Sequence, residues 1–308
     1  MSSDPQTSSH ARTPSPAAGD SRATNDSRAT GASPATGASP ATGADVVRQI
    51  VVLVSAVVAI VLAAVGSGAF GGTAVADAAG GALSATATTV APATTAFSIW
   101  SVIYLGLVAY AVYQALPRQR AVTRHRRLGY WVAASMLLNA GWLFAAVQLG
   151  SVWLGAAVIV ALLLVLARIF VICFHTASSG WVDAVVTDGT FGLYLGWVSV
   201  ATVANVAAGF VDAGFDGFGL PAGFWSAVVL GVAALVGVAI AFAGRGRIAP
   251  ALSLSWGLSW IAVGRLLGEP ENTVAGVAAI IAAVVVLGVT VAVRVARGRV
   301  GATRSLHR

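Results

Sequence analysis

The chain contains no lysine; all 18 of its basic residues are arginine. That excludes a Schiff base to retinal or pyridoxal phosphate and the phosphate-binding lysine of a Walker motif. A single cysteine, Cys173, excludes an internal disulfide and a cysteine metal cluster. It stands in the apolar run VICF and reads as a buried, inert thiol. Charge is scarce too: charged residues make up 9% of the chain, against about 25% in ordinary soluble domains. Hydrophobic residues make up 57%, and the mean hydropathy is +0.85. This is the composition of an all-α, polytopic membrane protein. The net charge of +7 does not point to nucleic acid, because the arginines fall between apolar segments, where they orient a chain in the lipid bilayer.

Residues 1–45 are mostly Ser, Thr, Ala, Pro, Gly and Asp with almost no large apolar side chains, and SRAT and GASPAT are each repeated once. Such a segment has nothing to bury and predicts a disordered tail. Eight apolar segments follow, near 48–66, 95–115, 128–148, 153–174, 189–211, 222–243, 250–267 and 273–295. Each has the length of a membrane span. Between the first two lies a Gly-, Ala- and Thr-rich loop, 67–94, a candidate lid. With eight spans, 16 of the 18 arginines, all but Arg168 and Arg265, fall on one side. The positive-inside rule then predicts a multi-pass protein of the plasma membrane with both termini, including a basic tail at 297–308, in the cytoplasm.

The fifth segment is the one the others are arranged around. Tyr194, Trp197, Ala201 and Asn205 are spaced i, i+3, i+7 and i+11 and share one helix face. An asparagine in the hydrocarbon layer is costly unless paired, so this face turns into a bundle. Gly192 and Gly196, four apart, admit another backbone closely. Phe97, Trp100 and Tyr104 share a face of the second segment, and Ser135, Asn139 and Trp142 a face of the third. Two readings are open. The stripes line an apolar cavity with a few polar groups, as small-molecule sites do, or they are packing aromatics with Asn139 and Asn205 as interhelical ties.

These motifs resemble the tryptophan-rich sensory protein family, also called the translocator protein or peripheral-type benzodiazepine receptor family (TspO/MBR). Its second helix carries Pro, then F-x-x-W-x-x-x-Y, here Pro92, Phe97, Trp100 and Tyr104; its third carries L-N-x-x-W, here Leu138, Asn139 and Trp142. Its fifth carries P-Y-x-x-W-x-x-x-A-x-x-x-N, here Tyr194, Trp197, Ala201 and Asn205, with Leu193 in place of the proline. Ser135 replaces a family glutamine, and the cholesterol motif some members carry after the fifth helix is missing. The resemblance covers about 46–211 as a five-helix core, with 212–296 as three additional helices. It implies a porphyrin pocket lined by Trp100 and Trp197 beneath the first loop, and a homodimer. The function it implies is a receptor, sensor or transporter for a flat tetrapyrrole, with no cofactor required. Alternatives are a secondary transporter of another small solute and, as suggested within the family, a porphyrin-degrading enzyme.

No catalytic triad, metal-ligand spacing or phosphate loop is found. Arg168 reads as a snorkelling side chain, His175 as an interfacial histidine, and Arg265 as an interfacial ion pair with Glu269 or Glu271. Asp183 and Asp188 read as solvated carboxylates in the loop after the fourth segment. Trp256 and Trp260 share a face and are either packing or a second aromatic wall.

Overall fold

The computed structural model describes residues 40–66 and 75–305, and all regular structure among them is helical. Eight long helices lie near the expected positions. They are α1 (Gly43–Gly66), α2 (Ile99–Ala115), α3 (Thr123–Leu143), α4 (Val152–His175), α5 (Trp181–Asp212), α6 (Ala222–Ala243), α7 (Ile248–Leu266) and α8 (Thr273–Ser305). Residues 306–308 of the expected basic tail, the loop residues 67–74 and residues 1–39 of the expected tail at 1–45 lie outside the described residues. Residues Gly43–Asp45 of that tail instead open α1, where Asp45 is buried and pairs with Arg126 at 2.7 Å.

Seven of the helices are long and apolar enough to cross a membrane; α7 is the exception. It carries Ser253, Ser255, Ser259, two tryptophans and Arg265 within 19 residues. Its contacts nevertheless take it through the full thickness of the bundle. At its start Arg247 donates to Asp188 (2.6 Å) and to the Cys173 carbonyl (2.8 Å); at its end Arg265 reaches the first loop. It packs on α5, α6 and α8, which bury Ser253 and Ser255 against the carbonyls of Pro250 and Ala283. A helix enclosed by other helices needs less apolar surface than one facing lipid.

α5 separates two cores. One is built from α1 to α5; the other surrounds α7 and takes in Val200 from α5. The expected close approach at Gly192 and Gly196 is made by α7. A Cβ on Gly196 would fall on the Pro250 carbonyl and the Ser253 hydroxyl, and one on Gly192 would lie 2.7 Å from Ala249 Cβ.

The arginines gather at one end. Arg48 and Arg126 pair with Asp45, Arg48 also donates to the Arg120 carbonyl (3.0 Å), and Arg124 and Arg247 share Asp188. The backbone of Arg294 on α8 lies against Gly246. Asp183 and Asp188 are not in a solvated loop. Helix α5 begins at Trp181, eight residues before the expected start, and passes through a π-turn at Ala184–Gly189. In α geometry residues five apart diverge by about 140°; the wider i→i+5 turn brings them back onto one side. Asp183 is therefore buried, and both carboxylates face Arg124, at 3.8 and 2.7 Å.

Candidate functional site

The cavity lies among α2, α3, α4 and α5, beneath residues 82–92 of the first loop. Seven of the nine sequence-identified residues line it: Phe97 in the turn before α2, Trp100 at the start of α2, Asn139 and Trp142 on α3, and Trp197, Ala201 and Asn205 on α5. Tyr104 and Tyr194 stand behind them. Tyr104 stacks on Trp100 (5.2 Å, 20°), and Tyr194 meets the Trp100 ring edge-on at 5.7 Å. Trp197 is buried and perpendicular to Trp100 (6.3 Å, 84°), with Phe97 edge-on to it at 5.7 Å. Trp100 thus sits at the centre of an aromatic cluster that α2 and α5 build together.

The polar groups of the cavity are partly committed. Asn139 Nδ2 donates to the Tyr104 hydroxyl at 3.2 Å, and the Tyr194 hydroxyl to the Ser135 carbonyl at 3.3 Å. Trp142 Nε1 donates to Asn205 Oδ1 at 3.0 Å, and Asn205 Nδ2 to the Ala201 carbonyl one turn back. Asn205 is thereby an interhelical tie between α3 and α5 as well as a lining residue. Trp197 Nε1 is buried with no partner. Replacing Trp142 with phenylalanine keeps most of the ring but orphans Asn205 Oδ1. We expect a loss of about 1 kcal/mol, read as a lowered Tm of the detergent-solubilised protein; an unchanged Tm would show that this bond ties nothing.

The roof is formed by part of the loop 67–94 expected as a lid, but which of its residues line the cavity, and the α4 wall, were not legible in the sequence. Leu83, Ser84 and Thr88 sit in a loop without a motif, and Ile159 and Leu162 are apolar residues in a helix that is apolar throughout. The loop is fastened from outside the cavity by the later helices. Thr89 shares a hydrogen bond with Ser226 on α6 (2.6 Å), and the Ala93 N–H donates to the Trp260 carbonyl (3.2 Å). Trp256 Nε1 donates to the Ala96 carbonyl at 3.0 Å, so the Trp256–Trp260 pair clasps the entry to α2 rather than forming a second cavity wall. Arg265 makes no ion pair with Glu269 or Glu271; it is buried and bonded to backbone carbonyls. Arg168 and His175 are exposed.

About 50 Å³ of the cavity is open, room for a few water molecules. Sites for drug-sized ligands enclose about 300–1,000 Å³, so a larger guest requires the roof to lift.

A family model described as TSPO-like protein matches residues 49–291, a span that runs past α5 and into α8. Comparison with curated proteins and with solved structures returns no match.

Proposed function

The chain belongs to the TSPO-like protein family, and we propose that it is a multi-pass membrane receptor or transporter for a flat apolar ligand such as a tetrapyrrole. The ligand would lie against Trp100 and Trp197 with the loop 82–92 above it. The observation that carries the reading is the meeting of these two tryptophans at one cavity whose roof is a loop rather than a helix. Tryptophan faces stack on conjugated rings, and Asn139 lines the cavity with its amide. The roof's hydrogen bonds to α6 and α7 are few enough to exchange as a guest enters. The gathering of arginines at one bundle end supports a cytoplasmic placement of that end and of both termini.

Titration of the detergent-purified protein with protoporphyrin IX, followed by tryptophan quenching and the Soret band, tests this. Saturable binding is expected, weakened at least about tenfold, or about 1.4 kcal/mol, in both Trp100→Ala and Trp197→Ala. Binding indifferent to both substitutions, in variants shown to be folded, would assign the tryptophans to packing alone.

One measurement separates transport from sensing. Porphyrin efflux from proteoliposomes carrying the protein, faster than from protein-free liposomes and slowed in Trp100→Ala, is expected of a transporter; efflux equal to that of protein-free liposomes would leave sensing.

A further inference from the structure

We infer that Arg265 is the receptor for a carboxylate carried by the ligand of this cavity, an inference that rests on the pocket reading above. Arg265 is only 1% exposed. Its Nη1 donates to the carbonyls of Thr88 (3.2 Å) and Pro270 (3.0 Å), and its Nη2 to those of Ala85 (2.8 Å) and Glu269 (3.0 Å). Every acceptor is a backbone carbonyl, and Nε has none. Among the described residues no carboxylate forms an ion pair with it. The nearby Glu269 carboxylate instead accepts from the Glu271 N–H within its own loop. The other buried guanidinium groups differ: Arg48 pairs with Asp45, and Arg124 with Asp188. A buried cation with no carboxylate in contact is costly, and the carbonyl dipoles and the more distant Glu269 charge offset only part of that cost.

Thr88 connects this cation to the cavity. Its carbonyl holds Arg265, its hydroxyl is buried without a partner, and the residue lines the cavity roof. Lifting the roof to admit a ligand withdraws the Thr88 and Ala85 carbonyls together, freeing a donor on each terminal nitrogen. The two oxygens of a carboxylate match that fork and supply the missing charge. The implied ligand class is a planar apolar acid, with its ring on Trp100 and Trp197 and its carboxylate on Arg265. The helices beyond α5 would then contribute a recognition group as well as a buttress for the roof.

The test compares protoporphyrin IX, a diacid, with its dimethyl ester on the detergent-purified full chain. Wild type is expected to bind the acid at least about tenfold more tightly than the ester, the scale of one charge-assisted pair. Arg265→Gln should bring that ratio close to one, whatever the loosened roof does to the two absolute affinities. Arg265→Lys, which keeps the charge but not the fork, should retain an intermediate preference; with the wild-type ratio it decides the matter where Arg265→Gln does not fold. Equal binding of acid and ester by wild type, or a preference that survives in Arg265→Gln, would overturn the inference while leaving the pocket reading intact. If neither compound binds, both fall.

Discussion

Gly196→Leu is expected to prevent assembly of the bundle. The position lies at the middle of α5, the helix shared by both cores, and faces the first turn of α7. Even a Cβ there would overlap the Pro250 carbonyl and the Ser253 hydroxyl. The first of these is backbone and cannot rotate away. Overpacking a tight site costs about 1–3 kcal/mol when neighbours can adjust; here α7 must separate from α5, so the expected loss exceeds that range. Displacing α7 also moves Trp256, Trp260 and Arg265, which hold the roof and the entry to α2. Gly196→Ala is the milder form, and Gly231→Leu on α6 is the control, since nothing lies within 4 Å of a Cβ there. Size-exclusion profiles and Tm in detergent should show Gly196→Leu aggregated or absent, Gly196→Ala clearly destabilised and Gly231→Leu close to wild type. A monodisperse Gly196→Leu protein with a normal Tm would mean that α5 and α7 do not approach as closely as described.

The aromatic half of the candidate site was legible in the sequence because each helix marks it with contrast. Trp100, Asn139, Trp197 and Asn205 are large or polar residues at helical spacing in apolar surroundings, and the structure brings them to one cavity. The pair Gly192 and Gly196 was legible for the same reason. Which helix would use them was not, since small residues state that a neighbour comes close without naming it. The loop was legible as a lid, but its fastening was not, because its contacts to Arg265 are made by backbone carbonyls, which every residue possesses. Arg265 itself stood out as a charge in an apolar segment, but sequence proximity to Glu269 and Glu271 suggested a partner that the fold replaces with carbonyls. The acidic pair Asp183 and Asp188 misled for a geometric reason. Their spacing of five matches neither α nor loop expectations, and only the π-turn aligns them. The polar residues that open α5 look like a connection, and the helix looks shorter than it is, until the arginines that pair with them are known.

Those arginines give the second large effect, which is asymmetric. Asp188 forms an ion pair with Arg124 at 2.7 Å and accepts from Arg247 at 2.6 Å, joining α3, α5 and α7 at the arginine-rich end. Asp188→Asn removes the charge that two guanidinium groups share. Breaking a buried pair from one side costs about 3–5 kcal/mol, because the remaining charge is left unmatched. Here Asp188 is 18% exposed and Arg247 31%, so water screens part of the loss. Asp183 also stays 3.8 Å from Arg124. We therefore expect about 2–3 kcal/mol, a Tm lower by several degrees. Arg247→Gln should cost less, about 1 kcal/mol, since Asp188 keeps Arg124 and Arg247 is the more exposed partner. Combining Asp188→Asn with Arg247→Gln should recover part of the single loss, because Arg124 keeps Asp183 and the double change removes the cation that Asp188→Asn leaves unmatched. The three Tm values, measured in one detergent at one ionic strength, test the sharing directly. Equal and additive losses would show two independent surface pairs. A recovering double variant would show one carboxylate tying three helices, and with it the end of the bundle opposite the lid.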